Sequence, residues 1–384
     1  MKLITLTPLG HEVVGSTVRT SCRVERHKNG IFERSDVLWY EYDAPEHLIS
    51  ECDVEPFLIA YILPAMAEGR SIIANGIISR ELLSNLHEFQ EVWRRWTKGR
   101  FQFANVRAES IAAGAERQDG AVLAFSGGVD ACFSAWRHTQ SLAGYRSQHI
   151  RLATFAHGMD IPLSNESDYD SYCECARTTL ASVGVPLARL RTNYRSVIPM
   201  NWEHTHVCAI VSALQMFKGI CGTILVGSTE PYDTLVSPWG SHPITDPLLS
   251  SAGMSVLHDG AGYSRTEKAA IVADWDAGCE NLRVCWKGAK RDRNCGTCEK
   301  CIRTSLNFIV TGKRVPSSLV ADITPEMIRG VTLRNEVAVG EYSAILDAAK
   351  RRGLTDPWVL EVERLLRWRR LTSLPRVVAR RLRQ

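Results

Sequence analysis

Ala121-Val122-Leu123-Ala124-Phe125-Ser126-Gly127-Gly128-Val129-Asp130-Ala131 passes from an apolar run through two glycines into a segment of helical character. A strand that ends on adjacent glycines and restarts as a helix lets the backbone approach a ligand closely. It also leaves the first helical N–H groups without intrahelical partners. Such a turn is an anion site, and phosphate is its natural occupant. The stretch has neither the Gly-Lys-Ser/Thr ending of a Walker loop nor the Gly-x-Gly-x-x-Gly of a dinucleotide fingerprint. Working outward, residues 151–155 and 223–226 repeat the short apolar strand, with helical patterns between them. That rhythm predicts an α/β fold over residues 119–313, a parallel sheet flanked by helices.

In front of this middle region, residues 1–118 read as an α+β extension. Asp36-Val37-Leu38-Trp39-Tyr40-Glu41-Tyr42 is rich in β-branched and aromatic residues and lies between the turn signals Lys28-Asn29-Gly30 and Asp43-Ala44-Pro45. Hairpin strands are therefore expected over the early residues. Residues 53–100 turn helical: Leu86, Phe89, Trp93 and Trp96 recur at steps of three and four, the stripe of a helix buried along one face. These aromatics read as core, not as a ligand platform. After Val315-Pro316 the chain reads as helical, which makes residues 314–384 a helical C-terminal region with a basic tail.

A second chemical signal is Cys285-Trp286-Lys287-Gly288 followed by Asn294-Cys295-Gly296-Thr297-Cys298-Glu299-Lys300-Cys301-Ile302-Arg303. Overlapping Cys-x-x-Cys steps with one more thiol nearby converge on a tetrahedral metal, Zn²⁺ ahead of an iron–sulfur cluster. Gly296 relieves the tight turn, and Lys287, Lys290, Arg291, Arg293 and Lys300 favour thiolate forms. With Cys285, Cys295, Cys298 and Cys301 filling every position, no place is left for water, so the Zn²⁺ is expected to be structural. A redox pair would leave two thiols unexplained. Cys22, Cys52, Cys132, Cys173, Cys175, Cys208, Cys221 and Cys279 read as small buried residues.

The 384 residues are 45% hydrophobic and 23% charged, ordinary globular usage that excludes collagen and a disordered chain. Twelve cysteines are too few for a disulfide-stapled secreted scaffold. No apolar run reaches the ~18–20 residues of a spanning helix. The start, Met1-Lys2-Leu3-Ile4-Thr5-Leu6-Thr7-Pro8, lacks the apolar stretch of an export signal. No membrane span is expected, and a reducing cytoplasm is the expected compartment. The net charge of +4 is uneven: Arg364, Arg367, Arg369, Arg370, Arg376, Arg380, Arg381 and Arg383 occur with no acid among them, so the rest of the chain is net negative. Such a tail suits nucleic acid, an anionic membrane surface or an acidic partner, and equally a solvated terminal helix.

Ser126-Gly127-Gly128-Val129-Asp130-Ala131 resembles the PP-loop of the ATP pyrophosphatase superfamily, whose pattern is Ser-Gly-Gly-x-Asp-Ser. Ala131 departs from it and removes a phosphate-contacting hydroxyl, which neighbouring Ser134 either replaces or does not. Taken with the cysteine loop and with Arg265-Thr266-Glu267-Lys268-Ala269-Ala270-Ile271-Val272 before it, residues 119–313 resemble the 7-cyano-7-deazaguanine synthase family. The resemblance implies an adenine nucleotide alpha hydrolase-like fold, ATP and Mg²⁺ at the loop, and a structural Zn²⁺. It implies adenylation of a carboxylate with release of pyrophosphate and AMP, amide formation with ammonia, and a second ATP-driven dehydration to a nitrile. The family's Gly-Gln-Arg-His and Pro-Gly-Arg-Asn segments are absent. His157-Gly158-Met159-Asp160-Ile161-Pro162 stands after the second strand, and the deazapurine region reads Gly227-Ser228-Thr229-Glu230-Pro231-Tyr232-Asp233 and Ser241-His242-Pro243-Ile244-Thr245-Asp246-Pro247. The chain thus resembles a paralogue with an altered substrate half. Similar divergent synthases are associated with bacterial antiphage operons, where they modify a partner protein.

On this reading Ser126, Gly127, Gly128 and Val129 line the pyrophosphate site, and Asp130 either caps the helix or binds Mg²⁺. Lys268, Arg265 and Arg303 neutralise phosphate or substrate carboxylate, or are plain helix charges. Asp233 and Asp246 lie in the loop where substrate is expected. His204 and His206, two apart on a helix, face different directions and read as packing or solvent residues. The expected function is an ATP-dependent, AMP-forming C–N ligase or amidating synthase acting on a carboxylate of a small molecule or a protein terminus. The alternatives are a tRNA-modifying PP-loop enzyme that uses the arginine tail, and a non-catalytic ATP-binding subunit of a multi-protein system, which Ala131 favours. Pairing as a homodimer is expected from zinc-bearing relatives.

Overall fold

Strands β1 (Lys2–Val14), β2 (Thr17–Lys28) and β3 (Ile31–Asp43) run antiparallel from the start of the chain. Between β2 and β3, Asn29 and Gly30 both have left-handed φ, 52° and 81°, which is the two-residue turn that fits the twist of a hairpin. In this computed structural model residues 1–43, 53–114 and 116–381 are described, without the side chains of Val14 and residues 373–381. Pro45 and Cys52 lie outside the described residues, as do the side chains of Arg376, Arg380, Arg381 and Arg383.

Next come α1 (Glu55–Glu68), β4 (Ser71–Ser79), α2 (Arg80–Trp96) and β5 (Val106–Ala112). The wholly helical reading of residues 53–100 is corrected by β4. Its Asn75-Gly76 lies in a bulge, where the register with β5 shifts between Ala74 and Ile77. The stripe on α2 buries Leu86, Phe89 and Trp93, while Trp96 is half-buried.

The middle region is β6 (Ala121–Ala124), α3 (Val129–Thr139), β7 (Ile150–His157), α4 (Glu166–Ala181), β8 (Leu187–Thr192), α5 (Tyr194–Val197), α6 (Trp202–Leu214), β9 (Thr223–Gly227) and β10 (Ser255–Asp259). Among the described residues, ten strands form one mostly parallel sheet in the order β10-β9-β6-β7-β8-β3-β2-β1-β4-β5. Strands β6 to β10 are all parallel, and β3 joins β8 antiparallel. The architecture is therefore α/β with helices flanking a large sheet. N-terminal and middle residues share its core: Tyr40 donates to Ser212 at 2.8 Å, and Tyr42 meets Phe217 edge to face.

The chain divides into two compact units. The first holds residues 1–126, 134–228 and 237–259; the second holds 127–133, 229–236 and 260–384. The second unit contains α7 (Arg265–Val272), α8 (Asp276–Glu280), α9 (Glu299–Thr311), α10 (Pro325–Arg329), α11 (Glu336–Arg351) and α12 (Pro357–Arg381). Its core gathers Ile302, Leu306, Tyr342, Ile345, Trp358 and Val362. Arg364, Arg367 and Arg369 pair with Glu361, Glu363 and Glu336. No described helix is long and apolar enough to cross a membrane.

Candidate functional site

β6 runs out into Ser126-Gly127-Gly128, and α3 begins at Val129. Gly127 has φ 70°, a conformation that a side chain would strain, and its carbonyl accepts the Arg283 N–H at 2.8 Å. The first helical bond runs from the Cys132 N–H to the Gly128 carbonyl at 2.9 Å. The Val129, Asp130 and Ala131 amides therefore have no intrahelical acceptor, and the positive end of the helix dipole lies at the loop.

Asp130 is inside the first turn of α3, not at its cap. One carboxylate oxygen lies 2.6 Å from Arg265 Nη2 and the other 3.3 Å from Lys268 Nζ. Both cations come from α7, which a capping box starts: Ser264 Oγ accepts the Glu267 N–H, and the Glu267 carboxylate accepts the Ser264 N–H. Once that turn is fixed, positions i and i+3 present Arg265 and Lys268 to one acid. Arg265 Nε also lies 3.3 Å from Glu341 on α11. Burial lowers the pKa of Lys268, and Asp130 opposes that shift. At Arg265 burial is outweighed by Asp130, Glu341, Glu299 and Glu230, which raise it. Arg303 pairs with Glu299 one turn earlier on α9, at 3.2 Å. The structure thus joins Asp130 to Lys268 directly and links Arg303 to them through Glu299 and Arg265. Both Asp130 oxygens already face side-chain cations, so the donor set there does not fit Mg²⁺. Ser134 does not stand in for the hydroxyl missing at Ala131; it donates to Asp259 at 2.8 Å.

The four thiols Cys285, Cys295, Cys298 and Cys301 come together with all Sγ atoms within 4.8 Å of one another, a group that can hold a metal ion such as zinc. A tetrahedron with ~2.3 Å metal–sulfur bonds has edges of roughly 3.8 Å. Cys298–Cys301 at 3.6 Å and Cys295–Cys301 at 3.9 Å match it. Gly296, at φ 76°, makes the turn between ligands, and Cys298 sits at the N-cap of α9. Hydrogen bonds from Cys298 and Cys301 hold the Cys285 thiol far below its ordinary range, and that same proximity pushes Cys301 far up. Thiols this crowded do not all ionise without a cation among them. Lys300 Nζ lies 3.5 Å above the Trp286 ring at the rim of the loop.

Of the other sequence candidates, Asp233 is exposed and Asp246 is fully buried. His204 packs edge-on against Trp93, and His206 lies by Trp239. Cys22, Cys132, Cys173, Cys208, Cys221 and Cys279 are buried, whereas Cys175 is exposed. Sequence reasoning missed Glu341 and Glu299, which act on Arg265. It also missed Asp259, which gathers Ser134, Arg137 and His138, and the pairing of Asp246 with His258. These partners lie far apart in the chain, and no local spacing announces them. Comparison of the chain with protein-family models, with curated proteins and with solved structures finds no match in any of the three.

Proposed function

We propose that the chain is an ATP-dependent, AMP-forming amidating synthase of the 7-cyano-7-deazaguanine synthase-like type, acting on the carboxylate of a small molecule or a protein terminus. The observation that carries this reading is the pairing of Asp130, on the first helical turn after the glycines, with two cations from one capped helix, the buried Lys268 and the half-buried Arg265. In the reaction the substrate carboxylate attacks the α-phosphorus, the bond to the β-phosphate breaks, and pyrophosphate leaves. A nitrogen nucleophile then displaces AMP from the acyl carbon. The amides at the start of α3 face the departing pyrophosphate and stabilise its charge. Asp130 holds Arg265 and Lys268 in one place, so their charge is preorganised when phosphate arrives. Arg303, steadied by Glu299, is the further cation for a substrate carboxylate. Mg²⁺ in this reading enters with the triphosphate, and Zn²⁺ held by the four cysteines supplies structure at the head of α9.

The test is to incubate the purified chain with Mg-ATP, ammonium and carboxylates, including 7-carboxy-7-deazaguanine and peptide C-termini. AMP and pyrophosphate should appear in equal amounts, with ¹⁸O passing from the labelled carboxylate to AMP. Binding of a non-hydrolysable ATP analogue with no AMP from any substrate overturns the reading in favour of a non-catalytic ATP-binding subunit.

A further inference from the structure

Helix α12 has two unlike sides within the second unit. On one, Trp358, Val359, Val362 and Leu366 enter that unit's core. On the other, Leu360 is 56% exposed, Trp368 63% and Leu371 66%, and the side chains of Arg364 and Arg367 are exposed by 71% and 73%. At about 3.6 residues per turn these five positions fall within a sector of about 100°, opposite the buried four. A helix side that meets only water is polar. This one sets two leucines and an indole among arginines, the pattern of a surface made to be covered.

Charge on the helix is as one-sided as apolarity. Arg364 and Arg367 reach Glu361 and Glu363 at 2.7 Å and 3.2 Å, but Glu361 is also met by Arg329 and Glu363 by Lys350. From residue 364 to residue 384 the sequence has eight arginines and no acid, while the rest of the chain is net negative. The helix backbone runs on to Arg381, and in the sequence Leu374 and Val378 continue the steps of three and four from Leu360, Arg364, Arg367 and Leu371.

We propose that α12 docks the chain on the surface of an anionic phospholipid bilayer, with Leu360, Trp368 and Leu371 at the boundary of headgroups and acyl chains and the arginines on the phosphates. Amphipathic helices with basic polar faces bind in this way, and tryptophan favours that depth. Each cation held near an anionic leaflet raises the affinity roughly fivefold. The net-negative remainder of the chain is repelled by the same surface, which turns this helix towards it. Since the other side of its first half is already packed in a core, that half loses no ordering entropy on binding. The helix is not long and apolar enough to cross the bilayer, so it lies on it. RNA would match the arginines and the indole but offers the leucines nothing to bury against. No step of the adenylation reading uses this surface, and the two stand or fall apart.

The test is flotation of the full chain, without ATP, on vesicles of phosphatidylcholine alone and on vesicles of three parts phosphatidylcholine to one part phosphatidylglycerol. The chain should float only with the phosphatidylglycerol vesicles and should leave them as salt is raised. Trp368→Gln combined with Leu371→Gln should weaken binding about tenfold with thermal unfolding unchanged, because both side chains are mostly in water. Leu360→Gln, expected to weaken binding about threefold, serves as the second probe should the double variant fold poorly. No flotation, equal flotation on both vesicles, or undiminished flotation of the folded glutamine variants overturns the proposal. Transfer of the chain from the vesicles to a single-stranded RNA at equal phosphate concentration also overturns it and assigns the arginines to nucleic acid.

Discussion

Asp130 answers two cations at once, so its replacement is a change in the interior of the second unit. The Lys268 side chain is 0% exposed and that of Arg265 is 11% exposed. Removing their shared counter-charge leaves the two cations short of one negative charge, and breaking such a pair costs on the order of 3 kcal/mol. Asp130→Asn should therefore destabilise the chain by up to that amount and lower the urea midpoint, and adding Lys268→Met should restore part of it by removing one of the two cations. Equal midpoints for Asp130→Asn and wild type would show that the cluster carries no such strain. Gly127, Gly128 and Asp130 were legible in the sequence because a glycine turn into a helix is written in consecutive residues. Glu341 and Glu299 were not, because a helix shows its charged residues in sequence but not which distant helix they meet.

Elements repeat that contrast. The cysteine loop was legible because its four thiols lie within one short segment, where a metal ion held by them would supply the order that apolar packing supplies elsewhere. Cys298 caps α9 and Cys301 lies in its first turn, so the four-thiol group, the helix start and the Glu299–Arg303 pair stand together. The purified chain should hold one Zn²⁺, and exchange for Co²⁺ should give a thiolate-to-cobalt charge-transfer band. Stripping the metal should lower stability by several kcal/mol. A metal-free chain that melts with the native chain and gives no cobalt band would refute this. Strands were harder to read than the loop. β8 reads Leu187-Ala188-Arg189-Leu190-Arg191-Thr192, and its arginines hide a strand whose parallel neighbours are apolar. β4 carries Asn75-Gly76, turn residues that the sheet absorbs as a bulge. β10 ends in His258-Asp259, polar because both side chains are bound inside.

At the scale of the whole chain, the sequence separated residues 1–118 by their change of rhythm, but rhythm reports local structure and not which sheet a strand will join. β3 pairs with β8 through Tyr40–Thr192, Glu41–Arg191 and Tyr42–Leu190. Phe57, Leu58 and Tyr61 of α1 share one core with Val207, Val211, Leu214 and Phe217. Lys218 Nζ lies 2.6 Å from Asp53 and 2.7 Å from Glu55, and the half-buried lysine meets two buried acids. A chain starting at residue 119 would lose all of this. β8 would become a bare edge, Lys218 would keep its charge without its acids, and the apolar side of α6 would meet water. Each large side chain so exposed costs about 1.5–3 kcal/mol, against a total stability of ~5–15 kcal/mol for a typical domain. Residues 119–384 expressed alone should therefore be insoluble or lack cooperative unfolding, and co-expression with residues 1–118 should restore a soluble complex by supplying the missing strands and acids. The measurement is size-exclusion chromatography with thermal unfolding followed by circular dichroism. A monodisperse 119–384 fragment with a sharp transition would mean that the shared sheet and core contribute far less than their burial implies.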